Sequence, residues 1–548
     1  MRHPVIAICL DSAEAALIER WTAEGKLPTL ASLMAGGSYG RTQGNAIDFS
    51  DVAWSTFYTG CWQEKTGFWH HVDFDPETYR CRLKNCDYQR TPPFYALGEA
   101  HRVAAFDLPK TKMCDGVNGL QVLGWGAHSP YTPTVSKPAD VLERIKAQYG
   151  LHPALRRDFA RTWRRSSIAR LLSRCLKGIA LRAAVCSDLL AQDQWDLFLT
   201  AFSEIHSIGH CAWHISQDSH PIYNDFADIL GDRDPVLEVY QATDRALGEL
   251  FERAPAEARV IVVSPEGMTD NNVDLPNMAF LPEILYRMSF PGHAGLAAGA
   301  GGANTPAPDR VLRPANLGWV RSVYKTKVDH NPLRRLIRQT FLMEVGHRIE
   351  TLLFGEAEGP QYPYKFRPYW HPGMWYSPYW NRMRAFVLPG QADGLIRINL
   401  QGRESNGIVP LEEYDAECRE VTAQLMQLRD PRSNRQVVTE VIHTRRDSEI
   451  LESRGLMADL VVKWDPEVII DVLDHPTLGR FGPLAFRRTA AHTNHGFFIA
   501  HGPGIPAGLH VKGATWVDMA PMILDLMGAA VPDYMDGRSP LCTARSAA

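Results

Sequence analysis

Short apolar runs recur along the chain and predict the strands of a buried parallel sheet. Each run has four to six residues, is bounded by turn residues and carries few polar side chains, which is typical of strands buried on both faces. The runs are Val5–Leu10, Val103–Leu108, Leu197–Phe202, Val260–Ser264 and Phe497–Ala500. Helix-length patterns with one apolar face lie between them, as in Ser12–Met34 and Pro235–Phe251. The alternation predicts a doubly wound α/β fold, with a mostly parallel sheet flanked by helices.

Three acidic residues follow predicted strands closely. Asp11 comes directly after the first run, and Glu204 and Glu266 each come two residues after a later one. Reactive groups of doubly wound sheets gather at the carboxyl ends of the strands, so these carboxylates are candidate ligands of a divalent cation. An Asp before a helix is also a common N-cap, which is the structural alternative for Asp11.

Histidines cluster in two segments far apart in the sequence. His206 and His210 follow a predicted strand at i, i+4 spacing, which places both imidazoles on one face of a helix in chelating geometry. His214 lies one turn further on, and His492 and His495 precede the last predicted strand. Either of the late histidines could complete a metal site, and sequence spacing does not choose between them.

Three stretches interrupt the alternation of strands and helices. Residues 150–190 are basic and helical in pattern, and residues 156–182 within them form either a solvated helix face or a contact with a membrane surface. Residues 290–310 are rich in Gly and Ala, as in a loop or linker. Residues 360–382 are dense in Tyr, Trp and Pro, which either stack on a substrate ring or pack a loop against the core.

Composition narrows the class of protein. The 548 residues are 45% hydrophobic and 22% charged, as in an ordinary globular protein, and the formal net charge of −4 gives no reason to predict nucleic-acid binding. The ten cysteines contain no C-x-x-C pair, which argues against a zinc ribbon. The first apolar run is too short for a signal peptide, and no run reaches eighteen residues, so we predict a cytoplasmic protein with reduced thiols.

Several motifs resemble the alkaline phosphatase superfamily, and within it the type I phosphodiesterase/nucleotide pyrophosphatase-like phosphohydrolases. The segment LDSAEAALIERWTAEGKLPTLASLMAGGSYG resembles the family opening, which implies that Asp11 is a metal ligand. DFSDVAWSTFYTG resembles the segment of the nucleophile, and its position before "TG" implies Ser50. The tail WVDMAPMILDLMGAAVPDYMDGRSP and the internal segment IRINLQGRESNGIV are similar to further parts of the same group. The resemblance implies a single alkaline-phosphatase-like domain over 1–548, with inserted cap segments at 62–190 and 270–390.

The resemblance also implies a metal site, with departures from the family pattern. His206-Ser-Ile-Gly-His210 corresponds to the family motif Asp-x-x-x-His, with Glu204 as a further ligand or a partner of a ligand, and His492 matches the late metal-binding histidine. The family motif "S-D-H-G-M" reads Ser264-Pro265-Glu266-Gly267-Met268, which leaves Glu266 as the remaining acidic ligand there. Three imidazoles favour zinc, with Mn or Mg as alternatives, and leave the presence of a second metal open.

Together these features predict a metal-dependent hydrolase of phosphate-type esters that acts on a small anionic substrate. Ser50 is the expected nucleophile, activated by metal coordination and forming a covalent intermediate. A single-metal sulfatase, phosphonate hydrolase or group transferase on the same fold is a second hypothesis, and a non-catalytic binding relative is a third. The sequence does not identify the substrate or the oligomeric state.

Overall fold

The computed structural model describes residues 3–45, 47, 52–83, 91–127, 132–297, 311, 319–328, 331–340, 343–355, 371–445, 449–452 and 457–541. Contacts divide the chain into two compact units. The first comprises Met1–Trp69, Asn85–Thr269 and His492–Ala548, and the second comprises His70–Lys84 and Asp270–Ala491. The second unit therefore extends well beyond the insertion expected at 270–390, and the single domain over 1–548 stays a prediction.

A nine-stranded sheet forms the centre of the first unit. In chain order its strands are β1 (Val5–Leu10), β2 (Ser38–Gln43), β3 (Gly98–Phe106), β4 (Val117–Leu123), β5 (Val135–Lys137), β6 (Leu197–Phe202), β7 (Arg259–Ser264), β8 (His495–His501) and β9 (Leu509–Thr515). Their order across the sheet is β9-β2-β8-β7-β1-β6-β3-β4-β5. All of them run in one direction except β5 and β8, which are antiparallel to their neighbours. The predicted doubly wound, mostly parallel sheet is thus confirmed.

The observed strands match the apolar runs to different degrees. β1 and β6 have the predicted bounds, and they pair in parallel with Val5 opposite Leu197. The run at Phe497–Ala500 was expected to be a parallel strand, but β8 is antiparallel to both β2 and β7. An apolar run indicates that a strand is buried but not which way the strand runs, so the sequence pattern could not distinguish a parallel strand from an antiparallel one.

Ten α-helices accompany the sheet in the described part of the first unit. They are α1 (Ala15–Ala23), α2 (Pro28–Gly36), α3 (Val52–Thr59), α4 (Gln63–Thr66), α5 (Ala139–Tyr149), α6 (Arg165–Gln192), α7 (Glu204–Ser216), α8 (Tyr223–Phe226), α9 (Pro235–Glu252) and α10 (Met519–Met527). The single helix expected over Ser12–Met34 is two helices, because Gly25 turns the chain at φ +70° and Pro28 begins a new helix.

Different helices pack against the two faces of the sheet. Ala7 and Cys9 of β1 belong to a core cluster with Trp54 and Phe57 of α3 and Ile523 of α10. The helices α6, α7 and α9 pack against one another as a second group. Apolar burial from both groups holds the strands in place, so that their carboxyl ends form a rigid edge.

The basic stretch is only partly helical. Residues 151–164 are turns and irregular chain, and α6 begins at Arg165, so the helix predicted over 156–182 is wrong in its first part. One face of α6 is buried through residues such as Leu172 and Ile179. Arg182 is buried as well, with no solvent exposure. The helical part of the stretch is therefore packed on one face and exposes basic residues on the other, and a membrane contact of residues 156–182 stays a prediction.

The second unit contains a four-stranded antiparallel sheet. Its strands, in order across the sheet, are Ala385–Val387, Gly394–Ile398, Leu460–Trp464 and Val438–His443. Its α-helices are Leu281–Ser289, Trp319–Lys325, Pro332–Thr340, Met343–Phe354 and Tyr414–Leu425, and two hairpins pair Val72–Asp75 with Arg80–Leu83 and Leu473–His475 with Gly479–Phe481.

Two of the segments that interrupted the sequence pattern lie partly outside the described residues. Of the stretch 290–310, residues 298–310 are not described, and of the aromatic stretch 360–382, residues 360–370 are not described. The rest of the aromatic stretch contains a 3₁₀ helix, Pro372–Arg382, in which Trp375 and Trp380 are buried. Within the described residues, no helix has the length and apolar character needed to cross a membrane.

Candidate metal centre

Three histidine side chains meet beside the carboxyl end of the sheet. His206 and His210 lie one turn apart on α7, and His492 lies in the strand Ala490–Thr493, three residues before β8 begins. Their ring centroids are 4.5, 4.7 and 5.1 Å apart. One ring nitrogen from each residue lies within 4.8 Å of the other two, and Nε2 of His210 is 3.1 Å from Nε2 of His492. Three ring nitrogens this close together have the spacing that binding of one metal ion requires.

Burial and a close backbone contact define the histidine face of α7. His206 and His210 are 5% and 0% exposed. Between them lies Gly209, where a Cβ atom would come within 2.3 Å of the sulfur of Met268. Met268 can therefore pack directly on the helix backbone because residue 209 has no side chain.

The turn after β1 places a hydroxyl next to the histidines. Ser12 is fully buried and has φ +59°, in the left-handed region that is unfavourable for a residue with a side chain. Its Oγ lies 3.2 Å from Oδ1 of Asp11, 3.2 Å from Oε1 of Glu266 and 3.2 Å from Nδ1 of His492. A hydroxyl has one proton to donate and can also accept, so Ser12 connects two carboxylates with one imidazole.

Ser264 connects the turn after β1 to the turn after β7. The backbone N–H of Ala13 donates to Oγ of Ser264 at 2.9 Å, and the same Oγ lies 2.6 Å from the carbonyl oxygen of Leu10. Because Glu266 is two residues beyond Ser264, these bonds fix the positions of Asp11 and Glu266 relative to one another. Two strand ends that are separated by about 250 residues of sequence thereby form one site.

Glu266 and Ser12 both face the second ring nitrogen of His492. Nδ1 of His492 lies 3.5 Å from Oε1 of Glu266, while its Nε2 faces His210. An imidazole whose one nitrogen bonds a carboxylate or hydroxyl presents its other nitrogen as a ligand in a fixed orientation. The contacts therefore place Glu266 where it can orient a ligand, and whether Glu266 or Asp11 also binds a cation directly stays a prediction.

Glu204 is not part of the histidine group, although it follows β6 closely, as Asp11 follows β1. Its Oε1 accepts hydrogen bonds from Nε2 of His152 at 2.7 Å and from Nε of Arg182 at 3.1 Å, and Nη1 of Arg182 donates to Asp107 at 2.8 Å. Burial opposes ionisation of Glu204, but the charge of Arg182 and the bond from His152 outweigh it and lower the pKa to about 2. Glu204 does not belong to the described group of histidines, and it ties the first turn of α7 to α6.

The two other candidate histidines lie apart from the group. His214 is buried against the rings of Trp163 and Phe226, at centroid distances of 5.3 and 5.4 Å, and burial, followed by the charge of His220, lowers its pKa to about 3. His495 is exposed at the start of β8. Among the described residues, His206, His210 and His492 form the group with metal-ligand spacing.

Ser50 and Asp51 lie outside the described residues, so the nucleophile stays a prediction; α3 begins at Val52, two residues after Ser50. Sequence reasoning missed Ser12, although its place directly after the strand-end Asp11 was a usable signal. It also gave no indication that Arg182 would be the partner of Glu204.

Comparison with known proteins gives one family match. The family model described as type I phosphodiesterase/nucleotide pyrophosphatase matches residues 5–331, which include Asp11, His206 and His210 and end before His492. No curated protein matches the sequence.

Similar solved structures include a phosphonoacetate hydrolase from Sinorhizobium meliloti 1021 in complex with phosphonoformate, at 12% identity and a TM-score of 0.45, covering 97% of this chain and 96% of that one. A second is murine ectonucleotide pyrophosphatase/phosphodiesterase 5, an inactive form in complex with AMP, at 12% identity and a TM-score of 0.44, with the same coverage. Since the family model matches more than half of the residues, the chain belongs to the type I phosphodiesterase/nucleotide pyrophosphatase family, a family of phosphoester hydrolases.

Proposed function

We propose that the protein is a metal-dependent hydrolase of phosphate-type esters whose cation is held by His206, His210 and His492. The observation that carries the proposal is the meeting of three imidazoles, each offering a nitrogen within 4.8 Å of the other two. Members of the family are metal-dependent hydrolases, which agrees with this arrangement. Nitrogen donors favour zinc over magnesium, because magnesium prefers oxygen ligands and octahedral geometry.

The donor set fits a catalytic cation. Three neutral imidazoles leave the charge of a divalent ion uncompensated and one coordination position open, as in catalytic zinc sites. Bound there, the ion supplies Lewis acidity toward a substrate oxygen or a hydroxyl. The protein's own contribution is to hold the ligands: Ser12 and Glu266 face Nδ1 of His492 and so direct its Nε2 toward the group.

Ser50 is the proposed nucleophile. It precedes α3 by two residues, and backbone N–H groups at a helix N-terminus attract phosphate oxygens. In the proposed reaction on a diester, the hydroxyl oxygen of Ser50 bonds to phosphorus as one ester P–O bond breaks, and the departing oxygen takes up the proton that the serine loses and leaves as the alcohol. Water then cleaves the bond between serine and phosphorus, which releases the phosphate monoester and restores the serine hydroxyl. This two-step path replaces one difficult displacement by two easier ones.

The charges around the histidines favour a diester as substrate. Asp11 and Glu266 contact Ser12 at the edge of the group and add negative charge to the site. A phosphodiester has one negative charge, whereas a monoester at neutral pH approaches two and is repelled more strongly. We therefore propose small anionic phosphodiesters as the preferred substrate class.

Hydrolysis assays on chromogenic esters test the proposal. Bis(4-nitrophenyl) phosphate should be hydrolysed faster than 4-nitrophenyl phosphate or 4-nitrophenyl sulfate. Activity should disappear on dialysis against a chelator and return with zinc. Faster hydrolysis of the sulfate would support the sulfatase hypothesis. A purified protein without bound metal and without activity on any ester would support the non-catalytic relative.

Substitutions of His492 and Ser50, with a matched control at His495, test the metal ligand and the nucleophile separately. His492→Ala should remove bound metal and activity, whereas His495→Ala, three residues further on and exposed, should retain both. Ser50→Ala should retain bound metal but lose turnover by about a thousandfold or more, as for other catalytic nucleophiles. Full activity of Ser50→Ala would remove Ser50 from the mechanism without affecting the metal site.

A further inference from the structure

A helical hairpin in the second unit exposes apolar side chains. The described residues expose twelve large apolar side chains, and five of these lie between residues 333 and 353. They are Leu333 at 48%, Leu336 at 56%, Val345 at 44%, Leu352 at 86% and Leu353 at 58% exposure. Scattered apolar side chains need no explanation, but a concentration within two consecutive helices marks an interaction surface.

Each helix of the hairpin presents these side chains on a solvent-facing side. On Pro332–Thr340, Leu333 and Leu336 lie one turn apart and are both exposed, while Arg338 on the opposite side is buried. On Met343–Phe354, Val345 and Leu352 lie two turns apart, with exposed Arg348 between them. On Met343–Phe354, Arg348 therefore shares the exposed face of Val345 and Leu352, whereas on Pro332–Thr340 the exposed Arg335 lies to one side of the two leucines.

The hairpin is held together from its inner side. Nε of Arg338 donates to Oε1 of Glu350 at 2.9 Å, and both side chains are at most 3% exposed. Arg334 donates to the carbonyl oxygen of Phe354 at 2.8 Å. Arg338 also lies over the ring of Tyr324, 5.7 Å from its centroid. The exposed leucines are therefore not core side chains uncovered by local unfolding, because the inner sides of the two helices already contact each other.

Charge identifies the occupant that fits this surface. Residues 319–355 contain seven Lys and Arg residues against three Asp and Glu residues, in a chain whose overall charge is negative. Glu350 and Arg338 are buried against each other, and Lys327 is buried as well, which leaves five basic residues against two acidic ones. Exposed Arg335 and Arg348 stand beside the exposed leucines. Basic side chains next to leucines match an anionic lipid surface, where the apolar side chains enter the headgroup boundary and the arginines contact lipid phosphates.

We propose that the hairpin formed by Pro332–Thr340 and Met343–Phe354 binds reversibly to the surface of anionic membranes. The leucines supply apolar burial and the arginines supply electrostatic attraction, so binding requires both and weakens with salt. The proposal does not depend on the metal centre, which lies in the first unit. It also differs from the contact predicted for residues 156–182, which concerns the basic stretch and α6 in the first unit.

Co-sedimentation of the full-length protein with vesicles tests the proposal. Vesicles of phosphatidylcholine with about 30 mol% phosphatidylglycerol should bind the protein at least about tenfold more strongly than pure phosphatidylcholine vesicles, and high salt should abolish the difference. Leu336→Ser/Leu352→Ser should weaken binding at least about tenfold, and Arg335→Gln/Arg348→Gln should do the same for the anionic vesicles only.

A matched control variant distinguishes the hairpin from other exposed leucines, and a self-association assay distinguishes membrane binding from contact with a second copy of the protein. Leu411→Ser/Leu451→Ser removes two side chains of similar exposure, 46% and 51%, elsewhere in the same unit and should bind vesicles as the unmodified protein does. Unchanged thermal unfolding of each variant excludes misfolding as the cause. Equal binding by all variants, or no binding to anionic vesicles, would overturn the proposal. Concentration-dependent self-association that Leu336→Ser/Leu352→Ser abolishes would also overturn it, by identifying a second copy as the occupant.

Discussion

Arg182 is the residue whose removal tests how the histidine-bearing helix is anchored. It is fully buried on α6 and donates to Glu204, the first residue of α7, and to Asp107 after β3. Replacement by Met keeps an unbranched apolar side chain of similar length but removes the only charge that bridges these two carboxylates in the described contacts. The perturbation therefore leaves two buried carboxylates without their shared cation.

The expected loss follows from that burial. Removing one partner of a buried ion pair costs about 3–5 kcal/mol in free energy of unfolding, because an uncompensated charge stays behind. Since one guanidinium serves two carboxylates here, we expect Arg182→Met to reach the upper part of that range. Adding Glu204→Gln removes one of the stranded charges and should recover part of the loss.

Urea unfolding and hydrogen exchange provide the measurements. Arg182→Met should lower the free energy of unfolding and raise the exchange rate of backbone amides in the first turns of α7. Arg170→Met, which removes an exposed arginine from the same helix, should change the free energy of unfolding by less than about 0.5 kcal/mol. If Arg182→Met behaved like this control in both measurements, the reasoning that Arg182 anchors α7 would be refuted.

Substitutions at Ser12, Gly209 and His371 test individual features of the structure. Ser12→Ala and Ser12→Gly both remove the hydroxyl and should both weaken metal binding in a calorimetric titration, but Ser12→Gly should be the more stable by about 1 kcal/mol because glycine accepts φ +59°. Gly209→Ala should lose about 1–2 kcal/mol of unfolding free energy in urea, since the new Cβ meets the sulfur of Met268, and Met268→Ala should relieve part of that loss. Burial lowers the pKa of His371 from 6.5 to about 4, so the folded protein keeps it neutral where an unfolded chain protonates it. Stability should therefore fall as pH decreases from 6.5 to 4, by up to roughly 3 kcal/mol from this residue, and His371→Gln should show a correspondingly smaller fall in urea titrations at several pH values.

The sequence predicted the parts of the fold that depend on local pattern. β1 and β6 have the predicted bounds, because a six-residue apolar run buried on both faces leaves little choice of limits. The shared helix face of His206 and His210 likewise follows from their i, i+4 spacing alone. The break between α1 and α2 could also have been predicted, since proline is favoured at the first position of a helix and Pro28 occupies that position in α2.

Other features depend on contacts between distant segments and could not be predicted in this way. Glu204 and Asp11 both follow closely after strands of the same sheet, but Glu204 contacts Arg182 and His152, which lie 22 and 52 residues before it. The choice between His492 and His495 depends on which way each side chain points as the chain enters β8. The role of Ser12 depends on a left-handed backbone conformation that the residue type disfavours.

Anomalous scattering from crystals grown with zinc shows whether a cation binds between the three histidines. Data collected at the zinc absorption edge should show a peak about 2.0–2.1 Å from one nitrogen each of His206, His210 and His492, the usual zinc–imidazole distance. A zinc peak elsewhere in the protein, with none among these three imidazoles, would show that His206, His210 and His492 are not the metal site.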